Sequence, residues 1–109
     1  MHFHDSDDMR YNKQLTKAAP ESMKAMMDFH HVVLSETDSS LDLLTKELIA
    51  IGVAVTTQCP YCIDAHVKGA RKAGADEAQV AAAVMISSLV KAGGSMTHGW
   101  MAMKIMNEG

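Results

Sequence analysis

Two thiols, an imidazole and a carboxylate fall within one short segment of this chain, from Glu47 through Cys59 and Cys62 to His66. Cys59-Pro60-Tyr61-Cys62 contains both cysteines of the protein. Thiols separated by two residues can close into a disulfide or share a metal ion. His66 follows Cys62 by four residues and so lies over the same face of a helix, within reach of the thiol proton. Glu47 precedes the pair, and an antiparallel return of the chain would set it beside His66. There it would orient the ring and hold its charge, as a third group does for many catalytic bases.

These types support a specific cycle. A thiolate attacks peroxide, the resulting sulfenic acid condenses with the neighbouring thiol, and an external dithiol reopens the disulfide. The register of His66 selects Cys62 as the attacking sulfur. Ordinary Cys-x-x-Cys chemistry favours the first cysteine, here Cys59, so the two criteria disagree and the in-register base decides.

The elements that must position these groups are helical, because strand patterns are nearly absent. Residues 1–17 are polar and aperiodic and read as an N-terminal arm. Pro20 suits the first turn of a helix to about Ser35, and Glu36 to Ser40 reads as a loop. Thr45 is the expected cap of the next helix, which puts Glu47 in its first turn and runs to about Thr57. Cys59 then caps a helix beginning at Pro60 and ending at Ala73, with Gly74 in the left-handed conformation. Asp76 and Gln79 form a capping box for a further helix. Gly93-Gly94 is expected to stop that helix, and Ser95 to cap a last one through Trp100 to Met106. The expectation is an all-α, single-domain bundle of about five to six helices.

At 109 residues there is room for one core. A net charge of -3 with interspersed signs is unlike the basic stripe of a nucleic-acid binder. No apolar run reaches membrane-spanning length, and the acidic, polar first residues are unlike a secretory signal, so a cytoplasmic location and no membrane contact are expected. In a reducing compartment a close cysteine pair is catalytic or metal-binding more often than structural. Leu48 to Val55 and Ala78 to Val90 carry apolar side chains almost all round, which suits helices buried on every side. A chain of this size cannot wrap two of them, and a homo-oligomer is expected.

The combination of Glu47, the Cys59/Cys62 pair and His66, followed by Arg71-Lys72-Ala73-Gly74-Ala75-Asp76-Glu77-Ala78, resembles the AhpD-like branch of the carboxymuconolactone decarboxylase family. The likeness runs from about Leu41 to Gly94. It implies an all-helical AhpD-like domain over 18–109, homotrimers or homohexamers, and thiol-dependent peroxidase activity needing no cofactor. By the same resemblance Cys62 attacks the hydroperoxide, Cys59 resolves, Glu47 and His66 form the proton relay, and an external dithiol or lipoyl-type reductant restores the thiols. Tyr61 stands where the well-studied type has a histidine, and that type is longer, with a second related half.

Other readings use the same residues. Zinc could be held by Cys59, Cys62 and His66 with Glu47, His30, His31 or His98, although no second paired motif accompanies them. Cys-Pro-Tyr-Cys also matches glutaredoxins, whose fold needs strands and a later proline that are missing here. A lactone decarboxylase would use a histidine as acid or base without thiols. A non-enzymatic oligomer would bury the cysteines as small hydrophobes. Tyr61 and His98 are candidate pocket-lining residues. His2 and His4 read as solvated, and one of His30 and His31 is expected to pack while the other faces out. Met96, Met101, Met103, Met106 and Trp100 are expected at a core or subunit contact.

Overall fold

The computed structural model of the chain describes residues 5–35 and 40–108. A 3-10 helix, Ser6–Tyr11, leads into five α-helices: α1 Asn12–Ala18, α2 Pro20–Val33, α3 Leu43–Thr57, α4 Pro60–Lys72 and α5 Glu77–Glu108. No strand occurs among the described residues, as the all-α reading expected. The segment read as an aperiodic arm is helical from Ser6 onward, opened by a capping box in which Asp5 and Asp8 exchange backbone and carboxylate hydrogen bonds. The expected loop at Glu36 lies mostly outside the described residues.

The centre of the fold is α3, which packs against α4 on one side and α5 on the other. Its cap is Asp42, not Thr45: the Asp42 carboxylate accepts the Thr45 N–H at 2.8 Å, which also holds the Asp42 carboxyl below its ordinary range. Glu47 therefore sits past the first turn, on the side of α3 that meets α4. The helix ends where Gln58 enters the left-handed region at φ 58°, and Cys59 N–H returns to Ala54 O at 3.2 Å. That reversal makes α4 run antiparallel to α3.

The expected cap and stop of α4 are both present. Cys59 Sγ accepts the Cys62 N–H at 3.2 Å, and Pro60 occupies the first helical position. At the far end Gly74 adopts φ 101°, while Ala75 N–H reaches Ala70 O and Gly74 N–H reaches Arg71 O, which is the Schellman closure. Asp76 and Gln79 exchange backbone-to-side-chain bonds of 2.8 and 3.0 Å to start α5.

Gly93-Gly94 does not stop α5, and Ser95 caps nothing, because the helix continues unbroken for 32 residues. Each glycine costs a helix only about 1 kcal/mol, and without a proline or a competing cap the flanking turns carry it through. The continuity also makes α5 long and apolar enough, by length and composition alone, to cross a membrane, where the sequence reading expected no such segment.

The interior of the single chain is small. Among the described residues Ile51, Ala54 and Ala70 are the buried apolar ones, joined by Lys46 and Glu47. Neither stretch expected to be buried on every side is so within the single chain: Leu48 to Val55 buries Ile51 and Ala54 but leaves Ile49 53% and Val53 57% exposed, and α5, which carries Ala78 to Val90, has no buried residue, with Leu89 73% exposed. Trp100 and the four methionines beyond Gly94 are likewise exposed and anchor nothing within the chain. The radius of gyration is 18.1 Å, against about 13 Å for a compact chain of this length.

Candidate active site

Glu47 and His66 meet across the α3–α4 contact. His66 Nδ1 lies 2.8 Å from Glu47 Oε2, and since a carboxylate can only accept, the ring nitrogen donates. The glutamate side chain is 9% exposed and the histidine 22%. A buried carboxylate of this kind needs a partner, because leaving it unpaired away from water is costly. With Nδ1 committed to Glu47, Nε2 is the nitrogen left for a thiol or a water molecule.

What permits the approach is Gly69, three residues after His66 and therefore on the same side of α4. A Cβ placed there would lie 2.8 Å from Glu47 Cδ and 2.9 Å from both carboxylate oxygens. Only a residue without a side chain lets the acid lie flat on the helix. Sequence reading missed Gly69, although its helical spacing from His66 was visible.

Cys59 and Cys62 form a disulfide at the N-terminus of α4 and are both half-buried. The oxidised pair is thus compatible with the local fold, and the unpaired N–H groups of this helix start are placed to favour a thiolate once it is reduced. Cys62 and His66 line a common cleft of about 500 Å³, whose walls come from the end of α2 and one face of α3. Cys59 is not among its lining residues. Glu47 is thus in contact with His66, Cys59 is joined to Cys62, and Cys62 is the sulfur that shares the cleft with His66.

The two further candidates lie elsewhere. Tyr61 O–H donates to Asp8 Oδ2 at 2.7 Å, tying the Cys-x-x-Cys turn to the N-terminal 3-10 helix instead of facing the cleft. That bond holds the phenol above its ordinary pKa. His98 is exposed on α5, with Nδ1 2.9 Å from Gly94 O, and is not a cleft residue. Of the other histidines, His30 and His31 are both exposed, so neither packs as expected, and His2 and His4 lie outside the described residues. Among the described residues no group of three or more His, Cys, Asp or Glu side chains is arranged to hold a metal ion. Sequence reading also passed over Lys46, which is buried beside Glu47 and lines the cleft.

The model of the carboxymuconolactone decarboxylase family matches residues 20–104. The chain belongs to the carboxymuconolactone decarboxylase family. A crystal structure of a protein from Methanobacterium thermoautotrophicum superposes with a TM-score of 0.74 at 25% identity, covering 81% of this chain and 97% of that one. "Uncharacterized protein 4 in cox locus" of Paracoccus denitrificans is 44% identical over 71 residues, 65% of this chain and 64% of its own length. "Uncharacterized protein YdfG" of Bacillus subtilis is 42% identical over 62 residues, 57% of this chain and 40% of its own. The match thus spans between two fifths and just under two thirds of these curated relatives.

Proposed function

We propose that this member of the carboxymuconolactone decarboxylase family is a thiol-dependent peroxidase working through Cys59 and Cys62. The observation that carries the reading is the convergence of a half-buried cysteine pair, an imidazole on the same cleft as Cys62, and a buried carboxylate 2.8 Å from that imidazole. In the reduced protein His66 takes the Cys62 proton and Glu47 stabilises the imidazolium. The thiolate attacks the terminal oxygen of a hydroperoxide, forming an S–O bond and breaking O–O. The departing alkoxide takes the proton from His66 and leaves as alcohol. Cys59 then attacks the Cys62 sulfur, the S–S bond forms, and hydroxide leaves and is protonated to water. An external dithiol, lipoyl-type or other, reduces the disulfide through a mixed disulfide and is itself oxidised.

The cycle requires a reducing compartment, which favours the cytoplasm. The exposed apolar length of α5 favours assembly with further copies, in threes or sixes, since a monomer rarely leaves such a surface open. The test is the intact mass of reduced protein before and after dilute hydroperoxide. Wild type is expected to lose two hydrogens, Cys62→Ser to consume no peroxide, and Cys59→Ser to turn over once and stop as the sulfenic acid. Equal full activity in both variants would exclude the mechanism.

A further inference from the structure

Lys46 is the one buried cation among the described residues, 9% exposed. The exposed lysines Lys24 and Lys68 pair with Asp28 and Asp64 one turn away, but no carboxylate among the described residues pairs with Lys46. Its ammonium donates to the backbone oxygen of Ser35 at 2.6 Å. An ammonium has three donors, and one neutral carbonyl leaves a charge removed from water largely uncompensated. The neighbouring Glu47 carboxylate is already committed to His66.

Lys46 lines the cleft that also holds Cys62 and His66, and the rest of its lining is mostly apolar, including Leu34, Leu41, Ile49, Ala50 and Val53. The Glu47–His66 contact fixes the register of the antiparallel helices, with Lys46 one residue before the acid and Cys62 one turn from the imidazole on the side of the turn. At about 1.5 Å of rise per residue, cation and sulfur are separated by on the order of 10 Å along the helices. A greasy trough with one buried cation at one end and a reactive sulfur further along selects an amphipathic anion.

We propose that the cleft binds an elongated apolar carboxylate, with its headgroup on Lys46 and its chain along α3. Resting on the peroxidase reading, the substrate class is then a fatty-acid-type hydroperoxide whose peroxy group lies at Cys62. The binding site itself does not depend on that reading. The competing role for Lys46 is to cap the end of α2 through Ser35, favourable to the helix dipole but indifferent to any ligand.

Calorimetric titration of the full-length protein with octanoate and with octan-1-ol separates these roles. Wild type is expected to bind octanoate about tenfold more tightly, the size of one charge-assisted hydrogen bond. Lys46→Met should remove that preference and keep octanol affinity, and Lys46→Arg should retain it. Equal affinities in wild type, a preference that survives in Lys46→Met, or equal loss of both ligands would overturn the site. In turnover, Lys46→Met should lower kcat/KM for a fatty-acid hydroperoxide about tenfold while sparing cumene hydroperoxide. Retained octanoate preference without turnover of either peroxide would sink the peroxidase reading and leave the anion site standing.

Discussion

The α3–α4 hairpin and the helix α5 differ in how much each completes within the chain. In the hairpin, Glu47, His66 and Gly69 complete one another within the chain: an acid is buried, its partner is 2.8 Å away, and a missing side chain makes the space. Along α5 the apolar face is left open, since every large apolar residue from Met85 to Met106 that the helix carries is exposed. The difference teaches that hydrophobicity alone does not report burial within a chain. Packing is decided by which face finds a neighbour, and α5 finds one only where α3 runs alongside it.

The largest expected effect breaks the hairpin's own chemistry. Glu47→Gln should slow the reaction of Cys62 with hydroperoxide about a hundredfold, the lower range for a positioned acid–base group, with the fold retained. Stopped-flow rates across pH check this, and an unaltered pH–rate profile would remove Glu47 from the relay. Glycine substitutions give the same comparison in terms of stability. Gly69→Ala should cost about 1–3 kcal/mol, because the new methyl meets the Glu47 carboxylate. Gly93→Ala and Gly94→Ala, where a Cβ meets nothing within 4 Å, should each stabilise by up to about 1 kcal/mol through helix propensity. Urea midpoints measured together test whether the same change has opposite signs in the two regions.

Charging the exposed face of α5, as in Leu89→Lys with Trp100→Lys, should change the unfolding of an isolated chain by no more than about 0.5 kcal/mol each. If α5 mediates assembly, the same variant should shift sedimentation to the single chain, and an unchanged sedimentation profile would remove α5 as the interface. The smallest effect concerns the Tyr61–Asp8 bond. Because the folded phenol titrates above its ordinary pKa of 10.0, the contact contributes fully below that value and is lost as pH rises through the folded one. Tyr61→Phe should abolish that alkaline loss in thermal melts between neutral and strongly basic pH.

Much of the hairpin was legible beforehand. Cys59 and Pro60, Gly74, and the Asp76/Gln79 pair carry local capping chemistry that acts within a few residues, so their roles follow from adjacency. Glu47 and His66 could be paired only by supposing an antiparallel return, which the left-handed Gln58 and the Cys59 N–H bond to Ala54 O provide. Gly69 and Lys46 were missed because their significance lies in atoms contributed by another helix. Local signals also misled: Thr45 looked like a cap until Asp42, three residues earlier, offered a carboxylate, and Gly93-Gly94 looked like a stop although no competing structure follows. Tyr61 and His98 were assigned to a pocket by proximity in sequence or by residue type, and neither determines where a side chain points.

By itself the sequence determined the helical class, most helix ends, and the residue types of the candidate site, because capping, periodicity and residue chemistry are short-range properties. Only the tertiary structure decided that α5 is one continuous rod with no buried residue in the single chain, that Gly69 gives the acid its seat, and that a buried ammonium shares a cleft with the sulfur. Those facts depend on distances between separate helices, which are set by how their surfaces fit and not by the order of residues along either one.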